Sequence, residues 1–186
     1  QVNRFKQAYG FKTLRTQDPA EVMRRIWAAP TFEVHGLVGG YHGPGVKTVV
    51  PGHGELKVSM RLVPNQTPEK AFALLKKHVA KLNPEVTVER EGMLHPFRGV
   101  FDGPYVDAVK RAVKAGFGKE PAFIREGGSI GAVVTMQKAW KVPILFMGLS
   151  LPEHGYHAPN EYFDWGQASG GMKAFVHYFA ELAAKR

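Results

Sequence analysis

The feature that most constrains this chain is the run from Glu55 to Leu62. There Leu56, Val58, Met60 and Leu62 alternate with Glu55, Lys57, Ser59 and Arg61. Successive side chains leave a strand on opposite faces, so a period of two specifies a strand with one buried and one wet side. Arg61 falls on the wet side. Residues 31–38 (TFEVHGLV) are also rich in strand formers, and Gly39, Gly40, Gly43, Pro44 and Gly45 form a flexible loop after them. The pattern points to an antiparallel sheet.

Helix signals surround it. Asp18-Pro19-Ala20-Glu21 combines an N-cap, a proline at the first helical position and an early acid, and opens a helix running to about Trp27. Thr67-Pro68-Glu69 opens a second, with Phe72, Leu75, Val79 and Leu82 on one side, which Asn83-Pro84 stops. Val86 and Val88 suggest a short strand. Residues 1–17 are basic and lack a period. After Asp102-Gly103-Pro104 the style changes. An amphipathic helix covers 104–117, PAFI (121–124) reads as a strand, and a glycine-rich turn leads into a helix near 129–139. The apolar run 143–149 (PILFMGL) reads as a strand buried on both faces, and a polar loop and a final helix over about 165–184 follow.

These patterns predict an α/β chain in two parts. Residues 1–97 form an α+β unit with helices on one face of an antiparallel sheet, and residues 98–186 form a piece of a helix-covered parallel layer. Two strands are too few for a complete sheet of the second kind, so it is expected to lean on strands outside this chain.

Composition narrows the function. The net charge is +9 over 186 residues, but the basic residues are dispersed and no aromatic RNA-binding signature is present, so no nucleic-acid partner is expected. No apolar run reaches the ~18 residues of a membrane helix, and no signal-type apolar stretch follows Gln1, so a soluble, cytoplasmic protein without membrane contact is expected. Without cysteine, any metal is held by histidine and carboxylates. The start at Gln1 suggests a cut through a longer protein.

Three groups carry chemistry. Gly127-Gly128-Ser129-Ile130-Gly131 matches G-x-S-x-G, the nucleophile elbow, with Asp164 and His177 following in the order of a serine hydrolase triad. The same segment also reads as a glycine turn whose N–H groups cradle a carboxylate. His154 and His157 sit in LPEHGYHAPNE beside Glu153, Glu161 and Asp164, in a loop after a buried strand, where ligands collect. Arg61, near the loop holding Lys47 and Thr48, is suited to two-pronged carboxylate recognition.

Three segments in order, GPGVKTVVP (43–51) running on to SMRLVP (59–64), REGGSI (125–130) and HAPNE (157–161), resemble the C-terminal half of the M-twenty metallopeptidases, the aminoacylase, carboxypeptidase G and carnosinase-like dipeptidase group. The resemblance implies the end of a lid (dimerisation) domain followed by the end of a di-metal α/β peptidase domain. It implies two zinc or manganese ions, a bridging water activated by them and by a glutamate base, and a homodimer through the lid. The implied substrate is a small peptide or N-acyl amino acid with a free carboxylate. His157 falls on a metal-ligand position. Thr48 and Arg61 fall on lid positions that hold the substrate or stabilise the intermediate and can reach a partner's site. Gly128 and Ser129 fall on the turn that holds the substrate carboxylate.

The family's other motifs are not in this sequence. It contains no His-x-Asp and no Glu-Glu pair, so the general base is expected upstream and the chain alone is expected to be inactive. Gly131 replaces a usual proline, and Glu153-His154 stands where many relatives carry two aspartates. A non-catalytic dimerisation module is the alternative reading.

Overall fold

The computed structural model describes residues 2–126 and 130–184. In chain order these form α1 (Val2–Ala8), α2 (Pro19–Ala28), β1 (Thr31–Gly39), β2 (Gly54–Arg61), α3 (Pro68–Leu82), α4 (Pro104–Phe117), α5 (Gly131–Trp140), a 3-10 turn (Pro152–His154) and α6 (Trp165–Ala183). The fold is α/β, and the chain divides into two units. One is residues 28–96. The other joins residues up to Trp27 with the chain from Phe97 onward.

In the 28–96 unit, β1 and β2 pair antiparallel from Thr31↔Arg61 to Gly39↔Gly54. A bulge between Val34 and Gly36 leaves His35 without a partner across the ladder. Gly36 makes room there: a Cβ would stand 3.0 Å from that of Lys57, which would have to shift. Helix α3 starts where the sequence says: the Thr67 hydroxyl accepts from the Lys70 N–H at 3.4 Å, and Pro68 occupies the first turn. The strand expected at 86–89 is not formed. Among the described residues the sheet has only β1 and β2.

The second unit is built on α4 against α6. Ala108, Ala112 and Ala174 are completely buried. A Cβ on Gly116 would collide with the Gly170 carbonyl and come within 2.8 Å of the Ala174 nitrogen. Gly170 lies against the Phe117 ring and Gly171 against Leu149. Small residues therefore bring the two backbones into contact, and α6 is gripped from both sides. Across the same pair the Arg111 Nε donates to Glu181 Oε1 at 2.7 Å. The pair is solvent-exposed, so water and salt screen it and the small-residue packing, not this ion pair, holds the helices together.

The strands expected at 121–124 and 143–149 have no ladder. A parallel strand needs neighbours for its N–H and C=O groups, and this unit contains no other strand among its described residues. Phe146, expected to be buried, is 55% exposed, and it meets the Phe97 ring edge-on at 5.9 Å.

Contacts far along the chain join the first residues, expected within the 1–97 part, to the α4–α6 unit. Arg4 Nε donates to Glu153 Oε1 at 2.7 Å, and the Tyr9 and Tyr156 hydroxyls lie 2.7 Å apart. Burial and that hydroxyl pair push the Tyr9 phenol up to about 12. Val22 of α2 is buried in the same unit. Among the described residues, no helix is long and apolar enough to cross a membrane.

Candidate functional site

The loop from Ser150 to Asp164 carries both candidate histidines, and the structure separates their roles. His154 is 2% exposed. Its Nδ1 accepts the Leu151 backbone N–H at 3.1 Å and lies 3.3 Å from Ser150 Oγ. A ring nitrogen that accepts a backbone N–H carries no proton, so Nε2 bears it and donates to Asp164 Oδ2, 2.7 Å away. The ring stands edge-on to Tyr162 and Phe163, and the His154 carbonyl accepts the Tyr162 N–H at 3.1 Å.

Asp164 serves two partners. Its Oδ1 accepts the Gln167 N–H at 2.9 Å and so caps α6, while Oδ2 faces His154. The Gln167 N–H, then the His154 ring, hold its carboxyl below the usual carboxylate range.

His157 is exposed, at the crest of the loop. Its φ is +65°, in the left-handed region, as are Gly155 at +64° and Asn160 at +61°. For a residue with a Cβ this conformation costs on the order of 1 kcal/mol. The bends are held by short-range bonds: Ala158 N–H to Gly155 O at 2.9 Å, Glu161 N–H to Ala158 O at 3.3 Å, and His157 N–H to Glu161 Oε2 at 3.4 Å. The result is an imidazole presented outward on a bent, bonded backbone.

The lid candidates lie in different parts of the 28–96 unit. Thr48 is exposed in the loop that joins the Gly39 and Gly54 ends of β1 and β2. Tyr41, in that loop, donates to the Pro44 carbonyl at 2.8 Å. Arg61 closes the opposite end of β2, a strand whose seven steps from Gly54 span roughly 23 Å at 3.3 Å per residue. Gly128 and Ser129 lie outside the described residues.

The triad order does not become a triad geometry. Asp164 is engaged by His154 and Gln167, while His177 is exposed on α6. Thirteen positions along the helix put the two roughly 20 Å apart.

Comparison with known proteins gives the context for this loop. Residues 1–87 match the peptidase dimerisation domain of the M-twenty group. The Cys-Gly metallodipeptidase dug1 of Schizosaccharomyces pombe is 32% identical over 185 residues, covering 96% of this chain and 39% of the relative. The Beta-Ala-His dipeptidase of Homo sapiens is 30% identical over 169 residues, covering 88% and 33%. The chain is an M-twenty peptidase homologue. A solved structure of the di-peptidase Dug1p from Saccharomyces cerevisiae superposes on it with a TM-score of 0.84 at 30% identity, over 97% of this chain and 39% of that one. Human carnosine dipeptidase 1 superposes at 0.86 and 26% identity, over 99% and 40%. The M-twenty homologue thus spans about two fifths of the length of these relatives.

Metallodipeptidase relatives imply divalent metal use. In this M-twenty chain no group of three or more His, Cys, Asp or Glu side chains stands close enough to hold an ion, among the described residues. His157 is chemically a suitable donor, but one imidazole is not a metal site. The described residues alone therefore do not fit the implied pair of ions. Sequence reasoning placed both histidines in the loop but missed the structural task of His154. The signal available was a histidine just before a left-handed Gly155, with an N-capping Asp164 downstream.

Proposed function

We propose that this chain is the lid end and the ligand-bearing C-terminal part of a metal-dependent dipeptidase. The enzyme hydrolyses dipeptides or N-acyl amino acids with a free carboxylate in the cytoplasm. The reading rests on the 32% identity to a Cys-Gly metallodipeptidase along 96% of the chain. In it, His157 is one ligand to zinc or manganese, and the remaining ligands and the general base lie outside these 186 residues. Arg61 and the Gly128–Ser129 turn recognise the carboxylate. Thr48 works at the other end of the sheet, in the site of a second subunit. Alone, the chain has no hydrolytic activity.

Joining this chain to the missing part of such an enzyme tests the assignment. His157→Ala is expected to abolish dipeptide hydrolysis and to lower the metal content. Full activity in that variant rejects His157 as a ligand. Two tightly bound zinc ions on the 186-residue chain reject the incomplete-site reading.

A second reading is favoured by the match of residues 1–87 to the peptidase dimerisation domain, namely that this chain works as a dimerisation module. Sedimentation equilibrium decides it, and a monomer at high concentration argues against it.

A further inference from the structure

His154 is the one buried polar side chain among the described residues, and the proposed reaction leaves it without a task. Every polar group on it is committed. Nδ1 takes the Leu151 N–H, Nε2 gives its proton to Asp164, and the carbonyl takes the Tyr162 N–H. These bonds tie together the two ends of one loop. Leu151 follows the apolar run that packs on Gly171 through Leu149, and Asp164 is the cap of α6. Between the tied ends, Gly155, His157 and Asn160 all adopt left-handed backbone. Such bends persist only where the surroundings over-determine them, and the short bonds inside the loop are exposed to competing water. The buried imidazole is the part of the loop that water does not reach.

We propose that His154 is a positioning residue: its ring, strung between the Leu151 backbone and the Asp164 carboxylate, fixes the left-handed turn that presents His157. The proposal rests on the reading of His157 as a working side chain. It makes a separate claim about backbone geometry, which is read without metal or substrate.

The chemistry of the strut gives a sharp set of variants. Asn, Asp and Ser cap helices about equally well. Asp164→Asn and Asp164→Ser should therefore leave α6 intact by circular dichroism. In Asp164→Asn the cap needs the amide oxygen, so its NH2 confronts the Nε2 proton. The ring cannot answer by changing tautomer, because Nδ1 is already accepting from Leu151. In Asp164→Ser the side chain is too short to reach the ring. The test is nitrogen-15 NMR of the 186-residue chain. Wild type should show His154 in one tautomer, protonated at Nε2 and bare at Nδ1. Both Asp164 variants and His154→Ala should raise amide exchange at Leu151 and Tyr162 roughly tenfold. They should also move the His157 Cα resonance away from its left-handed value. His154→Gln, whose amide nitrogen reaches the place of Nε2, should restore part of both.

A wild-type His154 averaging between tautomers overturns the proposal without any variant. So do unchanged His157 resonances in Asp164→Asn and His154→Ala. If instead His157→Ala proves harmless in the enzyme while these shifts occur, the ligand assignment falls and the positioning role stands.

Discussion

The two units of this chain differ in how they treat their apolar side chains. Val22, Val106, Ala108, Ala112, Val133 and Ala174, the almost wholly buried apolar residues among those described, all belong to the unit built on α4 and α6. In the 28–96 unit Leu37, Val46 and Val50 are 77%, 92% and 88% exposed. A groove of about 630 Å³, floored by Phe32, Met60 and Leu75, lies open between its sheet and α3. The α4–α6 unit joins its helices through alanine and glycine at backbone-contact distance, although Trp165, Val176 and Phe179 stay exposed on it. The 28–96 unit has one apolar layer, much of it open. Exposed apolar surface of this kind marks places where other protein packs. The difference teaches that one unit is locked by sterics, while the other is held by its ladder and its caps.

That contrast is breakable. The largest effect is expected from Gly116→Val, which forces a branched side chain into the Gly170 carbonyl. Urea unfolding should show about 3 kcal/mol of lost stability, confined to the α4–α6 unit. A loss under about 1 kcal/mol would mean that the helices separate easily. In the sheet unit, Thr67→Ala removes only a long cap bond at 3.4 Å, and about 0.5–1 kcal/mol should go, seen as fraying of α3.

Acid should also act on the α4–α6 unit. Arg24, then Arg25, hold the Glu21 carboxyl down to about 2, and Asp164 is likewise lowered. A carboxylate whose folded pKa is depressed adds stability above its unfolded value and loses it as pH falls through the folded one. Amide protection in α2 and in the 150–164 loop, taken relative to the unfolded chain at each pH, should therefore fall as pH drops from about 4.5 toward 2. Glu21→Gln should flatten that slope in α2 alone. The smallest effect is expected at Val50→Ser. Stability should change by under about 0.5 kcal/mol, whereas any self-association through the loop should weaken in sedimentation. A large loss of stability there would show that the loop packs in solution.

Much of this fold was legible in the sequence because its signals are local. Asp18-Pro19, Thr67-Pro68 and Pro104 mark helix starts within a residue or so, and the Leu56–Leu62 alternation marks β2. Helix α1 was not legible. Its stretch has no period, and what places it is Arg4 and Tyr9 meeting Glu153 and Tyr156. The apolar run 143–149 misled for a different reason: hydrophobicity marks a segment for burial, but a strand exists only with a ladder beside it. At the candidate site, residue types drew attention to the whole 150–164 loop. The division of labour between His154 and His157 depends on burial and on which nitrogen accepts, and neither is written in spacing.

The pairing of Arg4 with Glu153 spans 149 positions of chain. A ribosome adding 5–20 residues per second needs about 7–30 s to cross that interval. For that time α1 waits for its Glu153 contact, while the 28–96 segment is already made. The nascent chain therefore completes its inner unit before its outer one. The clustered rings of Phe5, Tyr9 and Phe11 belong to the segment that waits longest for the contacts this chain supplies to it.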